Sequence, residues 1–365
     1  MMRILYLLFF TCVTVAIQGQ SLPYQNKYAF GADVSFVRQQ EESGRKFMDA
    51  DSTVKPCLEI LKYHGYNWGR IMICNEPVTN RLRQDLSYVI SAAQELKKYG
   101  LSFLLDYMMS NGWANPMTQP LPSEWENLNH QEKVQAVYSY VKKTMAALDS
   151  AGVIPEIVQL GNEIGNGFLW PEGRIRYDKP ELSEWNNVAD YLKAGIRAVR
   201  EVAGNDRKVK IMLHVDHGGD IPMTTTFFDK MKELGVDYDV IGFSFYPWSH
   251  GTLVDLKDNL YFSARRYGKE IILVETGYYW RQSRYFSNAR PPFPETPEGQ
   301  KEWLKTVNEI VMNIPEGLGR GVFWWEPMSR GRGYFDDEGK VQPIIHAFEK
   351  YALPLERTDG QTRIQ

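Results

Sequence analysis

The stretch Ile271-Ile272-Leu273-Val274-Glu275-Thr276-Gly277 decides how the rest of this chain is read. Four apolar residues in a row, most of them β-branched and without in-and-out alternation, describe a strand buried on both faces, as in a parallel sheet covered by helices. The run then ends on an acid. A second stretch, Ile157-Val158-Gln159-Leu160-Gly161-Asn162-Glu163, has the same form: a short apolar strand, then a carboxylate at its carboxyl end.

Outward from these two stretches the rhythm repeats. Further strands are predicted at 28–34, 68–73, 101–106, 209–215, 240–245 and 321–325. Segments of helical period lie between them at 54–64, 81–99, 131–151, 185–202, 222–234, 253–267 and 298–312, with a last one at 344–351. Eight strand–helix units are what a closed parallel sheet needs, so the fold class is α/β, a single (β/α)8 TIM barrel with long βα loops. An open doubly wound sheet competes, but no glycine-rich nucleotide turn follows an early strand.

The amino terminus stands outside this rhythm. Arg3 precedes an apolar run from Ile4 to Ile17, and Gln18, Gly19 and Gln20 follow, which is the arrangement of a cleavable secretory signal peptide. The run is short for a membrane span. Residues 1–19 are therefore read as a signal peptide and 20–365 as one domain, secreted or periplasmic, with no membrane span in the mature chain. A net charge of −3 offers no electrostatic case for a nucleic-acid partner. Cys57 and Cys74 lie in apolar contexts without metal-ligand spacing, so buried thiols are expected. Aromatics make up 13% of the chain, many in loop-like segments, where flat rings can pack on sugars as well as fill a core. A monomer is the default expectation.

In parallel barrels the reactive groups stand at the carboxyl ends of strands. Glu163 and Glu275 occupy such positions after the fourth and seventh strands, facing each other across the mouth. Cleaving a glycosidic bond needs one carboxylic acid to protonate the leaving oxygen, and a second carboxylate to attack or to activate water from the other side. Either glutamate alone reads as an ion-pair partner; the pair, each at the edge of a buried strand, reads as catalytic.

The neighbouring residues sharpen this. Leu160-Gly161-Asn162-Glu163-Ile164, continuing to Leu169-Trp170-Pro171-Glu172-Gly173, resembles the acid/base segment of the endo-β-1,4-galactanases, glycoside hydrolase family fifty-three of the retaining (β/α)8 clan. Ala32-Asp33-Val34-Ser35, Glu41-Glu42-Ser43-Gly44, His214-Val215-Asp216, Tyr246-Pro247-Trp248-Ser249-His250-Gly251, Val274-Glu275-Thr276-Gly277 and Trp325-Glu326-Pro327 fit the same family, in order along nearly the whole mature chain.

The resemblance implies a secreted, retaining, endo-acting hydrolase of β-1,4-galactan, as in pectic galactan or arabinogalactan, with a polysaccharide as substrate and no cofactor. It makes Glu163 the acid/base and Glu275 the nucleophile. Asn162 would bond the 2-hydroxyl, Arg70 keep Glu275 ionised, and Tyr246 donate to Glu275. Trp325 would floor the central subsite and Trp170 and Trp248 serve outer ones, with Asp33 and His214 in the same substrate-binding set and no metal ligand among them. Two close carboxylates do not both ionise cheaply, so a raised pKa is expected for Glu163.

Two departures stand out. After the second strand the family usually carries a further arginine and a valine-asparagine-proline stretch, where this chain has Ile71-Met72-Ile73-Cys74-Asn75-Glu76-Pro77. After the third, a phenylalanine-histidine-tyrosine-serine-aspartate segment is replaced by Tyr107-Met108-Met109-Ser110-Asn111. A less polar, more pliable wall is expected there, and with it a second reading: a related enzyme for a different or decorated β-linked glycan. The rival from another class is a non-catalytic secreted carbohydrate-binding protein. Asp336-Asp337-Glu338 could hold calcium, but reads as a solvated turn.

Overall fold

Strands β1 (Ala29–Asp33), β2 (Trp68–Ile73), β3 (Ser102–Tyr107), β4 (Ile157–Leu160), β5 (Lys210–Val215), β6 (Val240–Phe245), β7 (Glu270–Thr276) and β8 (Gly319–Trp324) pair in parallel, each with the next. β1 pairs with both β2 and β8, which closes the ring. The structure is a computed structural model that describes residues 28–77, 82–204, 209–287 and 290–351, and the backbone of 356–358 and 361–363. Residues 1–19, where a signal peptide is expected, and residues 20–27 lie outside these.

The expected (β/α)8 barrel is thus present, with helices between the strands. They are α1 (Val37–Glu42), α2 (Cys57–Tyr63), α3 (Leu86–Lys98), α4 (His130–Ser150), α5 (Trp185–Ala203), α6 (Ile221–Glu233), α7 (Leu253–Tyr267) and α8 (Pro297–Met312). Their starts are written locally. Asn129 and Glu132 form a capping box on α4, and Thr252 and Asp255 another on α7. No helix of the described residues is long and apolar enough to cross a membrane.

Three local expectations change. The helix predicted from residue 54 begins only at Cys57, because Pro56 stands at its N-cap and holds the preceding residue extended. Val54–Lys55 instead pairs with Phe47–Met48 in a small hairpin. The helix predicted from residue 81 starts at Leu86, where Asp85 caps it; residue 81 itself lies outside the described residues. The closing helix is two 3₁₀ turns, Pro343–Ala347 and Glu349–Tyr351, too short a run to sustain an α-helix. Cys57 and Cys74 are buried free thiols.

The barrel interior has two tiers. Ala29, Leu104, Ile157, Met212, Val240, Ile272, Val274 and Phe323 form an apolar plug, with Trp68 packed against it. The Phe323 ring reaches the middle because Gly31 opposite has no Cβ to meet it. Further along the same inward face stand Asp33, Arg70, Asp106, Gln159, His214 and Ser244, all without solvent-exposed surface. Glu275 joins them by an irregularity. Phe243 pairs with Leu273 but Ser244 with Glu275, so β7 carries one extra residue, Val274. Strict alternation from Ile272 and Val274 would turn Glu275 outward; the bulge turns it in.

Candidate active site

The upper tier assembles around Arg70. Its five N–H groups all find acceptors: Nε donates to Gln159 Oε1 at 3.2 Å, Nη1 to Asp33 Oδ2 at 3.0 Å and to Glu275 Oε1 at 2.8 Å, and Nη2 to Asp106 Oδ2 at 2.8 Å and to Asn162 Oδ1 at 2.9 Å. The planar fork of arginine suits such a hub where a lysine would not. Burial works against the charge of Arg70, but Asp106, Glu275 and Asp33 outweigh it and raise its pKa further. Burial in turn pushes Asp33 up to about 6 and Asp106 up to about 7, against the pull of Arg70. One cation faces three carboxylates, and the two aspartates answer by holding part of a proton near neutrality.

Glu275 receives a hydrogen bond on each oxygen, from Arg70 on Oε1 and from the Tyr246 hydroxyl on Oε2 at 3.1 Å. Glu163 enters from β4. Gly161 has φ 87°, and Glu163 itself is left-handed at φ 49° and ψ 53°, a conformation that costs a non-glycine residue about 1 kcal/mol or more. Burial first, and then the charges of Glu275 and Asp216, hold the Glu163 carboxyl well above the usual range, while a hydrogen bond with Ser244 pulls it partly back. Asp216 is buried and paired with His217.

His214 organises this side. The Glu163 backbone N–H points at its Nδ1 at 3.3 Å, so Nδ1 accepts and Nε2 carries the hydrogen that meets Ser244 Oγ at 2.9 Å. Burial, then Arg70 and His250, push its pKa well below the usual imidazole value, so it is neutral. Gln159 Nε2 bridges Asp106 Oδ1 at 2.6 Å and His214 Nδ1 at 3.0 Å. Gln119 Nε2 donates to the Asn162 carbonyl at 2.7 Å, bracing that backbone from the β3–α4 loop.

Aromatic rings flank the pair on two sides. Trp248 stacks on Tyr246 with centroids 5.1 Å apart and leans on Tyr279 and Tyr285. On the other side the Arg70 guanidinium lies 5.7 Å from the Trp325 ring centroid, and Trp113 meets Trp325 edge-on. Trp170 is held by its own loop, its indole bonded to the Asn166 carbonyl at 3.0 Å and covered by Arg174.

The residues singled out from sequence therefore fall into groups. Glu163, Glu275, Asn162 and Tyr246 converge on one point. Arg70, Asp33 and His214 have no exposed surface and bond to protein partners, so they stand beneath the cleft as positioning groups rather than in contact with a sugar. Gln159 and Ser244 escaped the sequence reading, although a polar residue interrupting a buried strand is itself a signal that a partner awaits it. Met72, Met108 and Met109 are fully buried. Met72 and Met108 pack with Cys74 and Ala114 in a small buried apolar cluster, so the methionines that distinguish this wall lie beneath its surface. Asp336 Oδ1 closes its own turn by accepting the N–H groups of Glu338 and Lys340, and Asp337 pairs with Arg281.

A closed parallel barrel with paired carboxylates at the carboxyl ends of β4 and β7 defines the class of barrel glycoside hydrolases. Known proteins place the chain within that class. The sequence model of Glycosyl hydrolase family 53 matches residues 29–344. A Niallia circulans protein from the bgaB 5′ region is 38% identical over 313 residues, 83% of this chain and 84% of its own length. An arabinogalactan endo-β-1,4-galactanase of Cellvibrio japonicus is 30% identical over 324 residues, 86% of this chain and 83% of its own. The family 53 catalytic domain of Ignisphaera aggregans superposes with a TM-score of 0.81 at 28% identity, covering 92% of this chain and 98% of that one. The chain is a glycoside hydrolase and belongs to glycosyl hydrolase family 53.

Proposed function

We propose that this enzyme is a secreted, endo-acting hydrolase of β-1,4-galactan that retains anomeric configuration by double displacement. The observation that carries the mechanism is the asymmetry of the two glutamates. Glu275 is held by donors on both oxygens, whereas burial and neighbouring negative charge keep the proton on Glu163. The substrate follows from the galactanase relatives. In the first step a Glu275 oxygen forms a bond to the anomeric carbon while Glu163 gives its proton to the departing glycosidic oxygen. The ester leaves Glu275 uncharged, which lowers the pKa of Glu163 and lets it take a proton from water. Water then bonds to the same carbon and Glu275 is released as carboxylate.

Asn162 uses one amide hydrogen on the Ala114 carbonyl at 2.9 Å, and the other is available to the sugar 2-hydroxyl, a contact that strengthens in the transition state. Trp325, Trp248 and Trp170 would receive successive sugars. The reaction calls for no cofactor. Secretion rests on the segment 1–19, and a monomer suffices because one chain supplies every group named.

The test is the product profile on linear β-1,4-galactan. Wild type should release short oligosaccharides whose new ends are first β-anomers, read by proton NMR, while Glu275→Ala loses roughly 10⁵-fold in kcat. α-Anomers appearing first would overturn retention. No products from either protein would overturn the substrate and direct the assay to other β-linked glycans.

A further inference from the structure

Residues far apart in the chain meet at the amino-terminal side of the barrel, away from the chemistry above. His64 follows α2, four residues before β2 begins; His346 and Glu349 lie in the turns after β8. His64 is 3% exposed, and both its ring nitrogens end on carboxylates: Nε2 lies 2.7 Å from Asp49 Oδ1, and Nδ1 lies 2.7 Å from Glu349 Oε1. That same Glu349 oxygen lies 2.5 Å from His346 Nδ1. Among the described residues, His64, His346 and Glu349 form a group whose donor atoms all fall within 4.8 Å of one another.

We propose that His64, His346 and Glu349 bind a divalent transition-metal ion of the zinc type, with Asp49 orienting His64. A buried imidazole between two carboxylates needs a hydrogen or a cation on each side. Asp49 takes the Nε2 hydrogen, which leaves the Nδ1 lone pair aimed at Glu349, and a carboxylate on the far nitrogen is the usual device for orienting a metal-bound histidine. His346 brings a second imidazole nitrogen to the same oxygen. Two nitrogens and one carboxylate oxygen, with water in the fourth position, suit zinc; calcium and magnesium prefer oxygens alone. Bonds of about 2.0 Å set ligand atoms roughly 3.3 Å apart in a tetrahedron, so Glu349 must draw back by less than about 1 Å from each nitrogen, and the two imidazole nitrogens, within 4.8 Å of each other, must settle at that spacing. Its side chain is 47% exposed and free to do so. The ion would tie the segment after β8 to the one between β1 and β2, where the ring of strands closes.

The experiment titrates zinc chloride into the chelator-treated mature chain, by calorimetry and by thermal melting. One zinc per chain is expected, with Tm rising about 4 °C at a hundredfold excess over Kd and no comparable rise from magnesium or calcium. His346 is partly exposed, so His346→Ala should fold; it and Glu349→Gln should weaken binding at least tenfold, and Asp49→Asn by about tenfold. Hydrolytic rate should be the same with and without zinc. No binding by wild type, or equal binding by His346→Ala, would overturn the site and leave His64 and Glu349 as an ion pair.

Discussion

The two tiers of the barrel interior are built by the same strands and do opposite things. On β3, Leu104 belongs to the plug and Asp106, two residues on, to the charged hub; on β4 the step is from Ile157 to Gln159, and on β5 from Met212 to His214. A side chain moves up one tier every second residue. The lower tier excludes water and needs only shape. The upper tier buries a guanidinium among three carboxylates, an arrangement that hydrophobic residues of equal volume would often match or exceed in stability. The difference teaches that stability and reactivity occupy separate floors of one barrel.

That separation can be tested by breaking each floor in turn. Arg70→Lys should have the largest effect, because a lysine cannot engage five acceptors: kcat/KM on galactan should fall roughly 10²–10³-fold, and the urea midpoint should report a loss of about 3–5 kcal/mol. Leu104→Ala should cost about 2–5 kcal/mol by the same unfolding measurement. Its kcat/KM should stay within about twofold of wild type. A Leu104→Ala enzyme as slow as Arg70→Lys would show that the floors are not separate.

The smallest effect sharpens the upper floor from within. Glu163 must hold its proton to donate it, so turnover persists below its raised pKa and is lost as pH rises through it. Ser244 pulls that pKa down. Ser244→Ala should therefore move the alkaline fall of kcat/KM upward, seen in a pH–rate profile, with kcat lowered only a few-fold. An alkaline limb that moves downward would show that Ser244 stabilises the protonated form instead.

Much of the upper floor was legible as letters and little of it as geometry. The strands announced themselves because parallel sheets bury both faces, and the strand-end acids Glu163 and Glu275 stood out against those apolar runs. The inward aim of Glu275 did not, since Ile271-Ile272-Leu273-Val274 has no alternation from which a bulge could be read. Gln159 and Ser244 were visible as polar interruptions, but their partners lie on neighbouring strands. Pro56 was the overlooked sign that α2 starts late. His64 and Glu349 meet only through barrel closure, which no spacing in the chain records.

The facing of a residue along a strand is a matter of odd and even, and β7 changes parity at Val274. Ironing out the bulge while keeping every letter of the segment, so that Val274 paired with Ser244, would turn Glu275 into the layer between strands and helices. A regular barrel redesigned to carry this constellation would fail in the same silent way, because its idealised seventh strand would count wrongly by one.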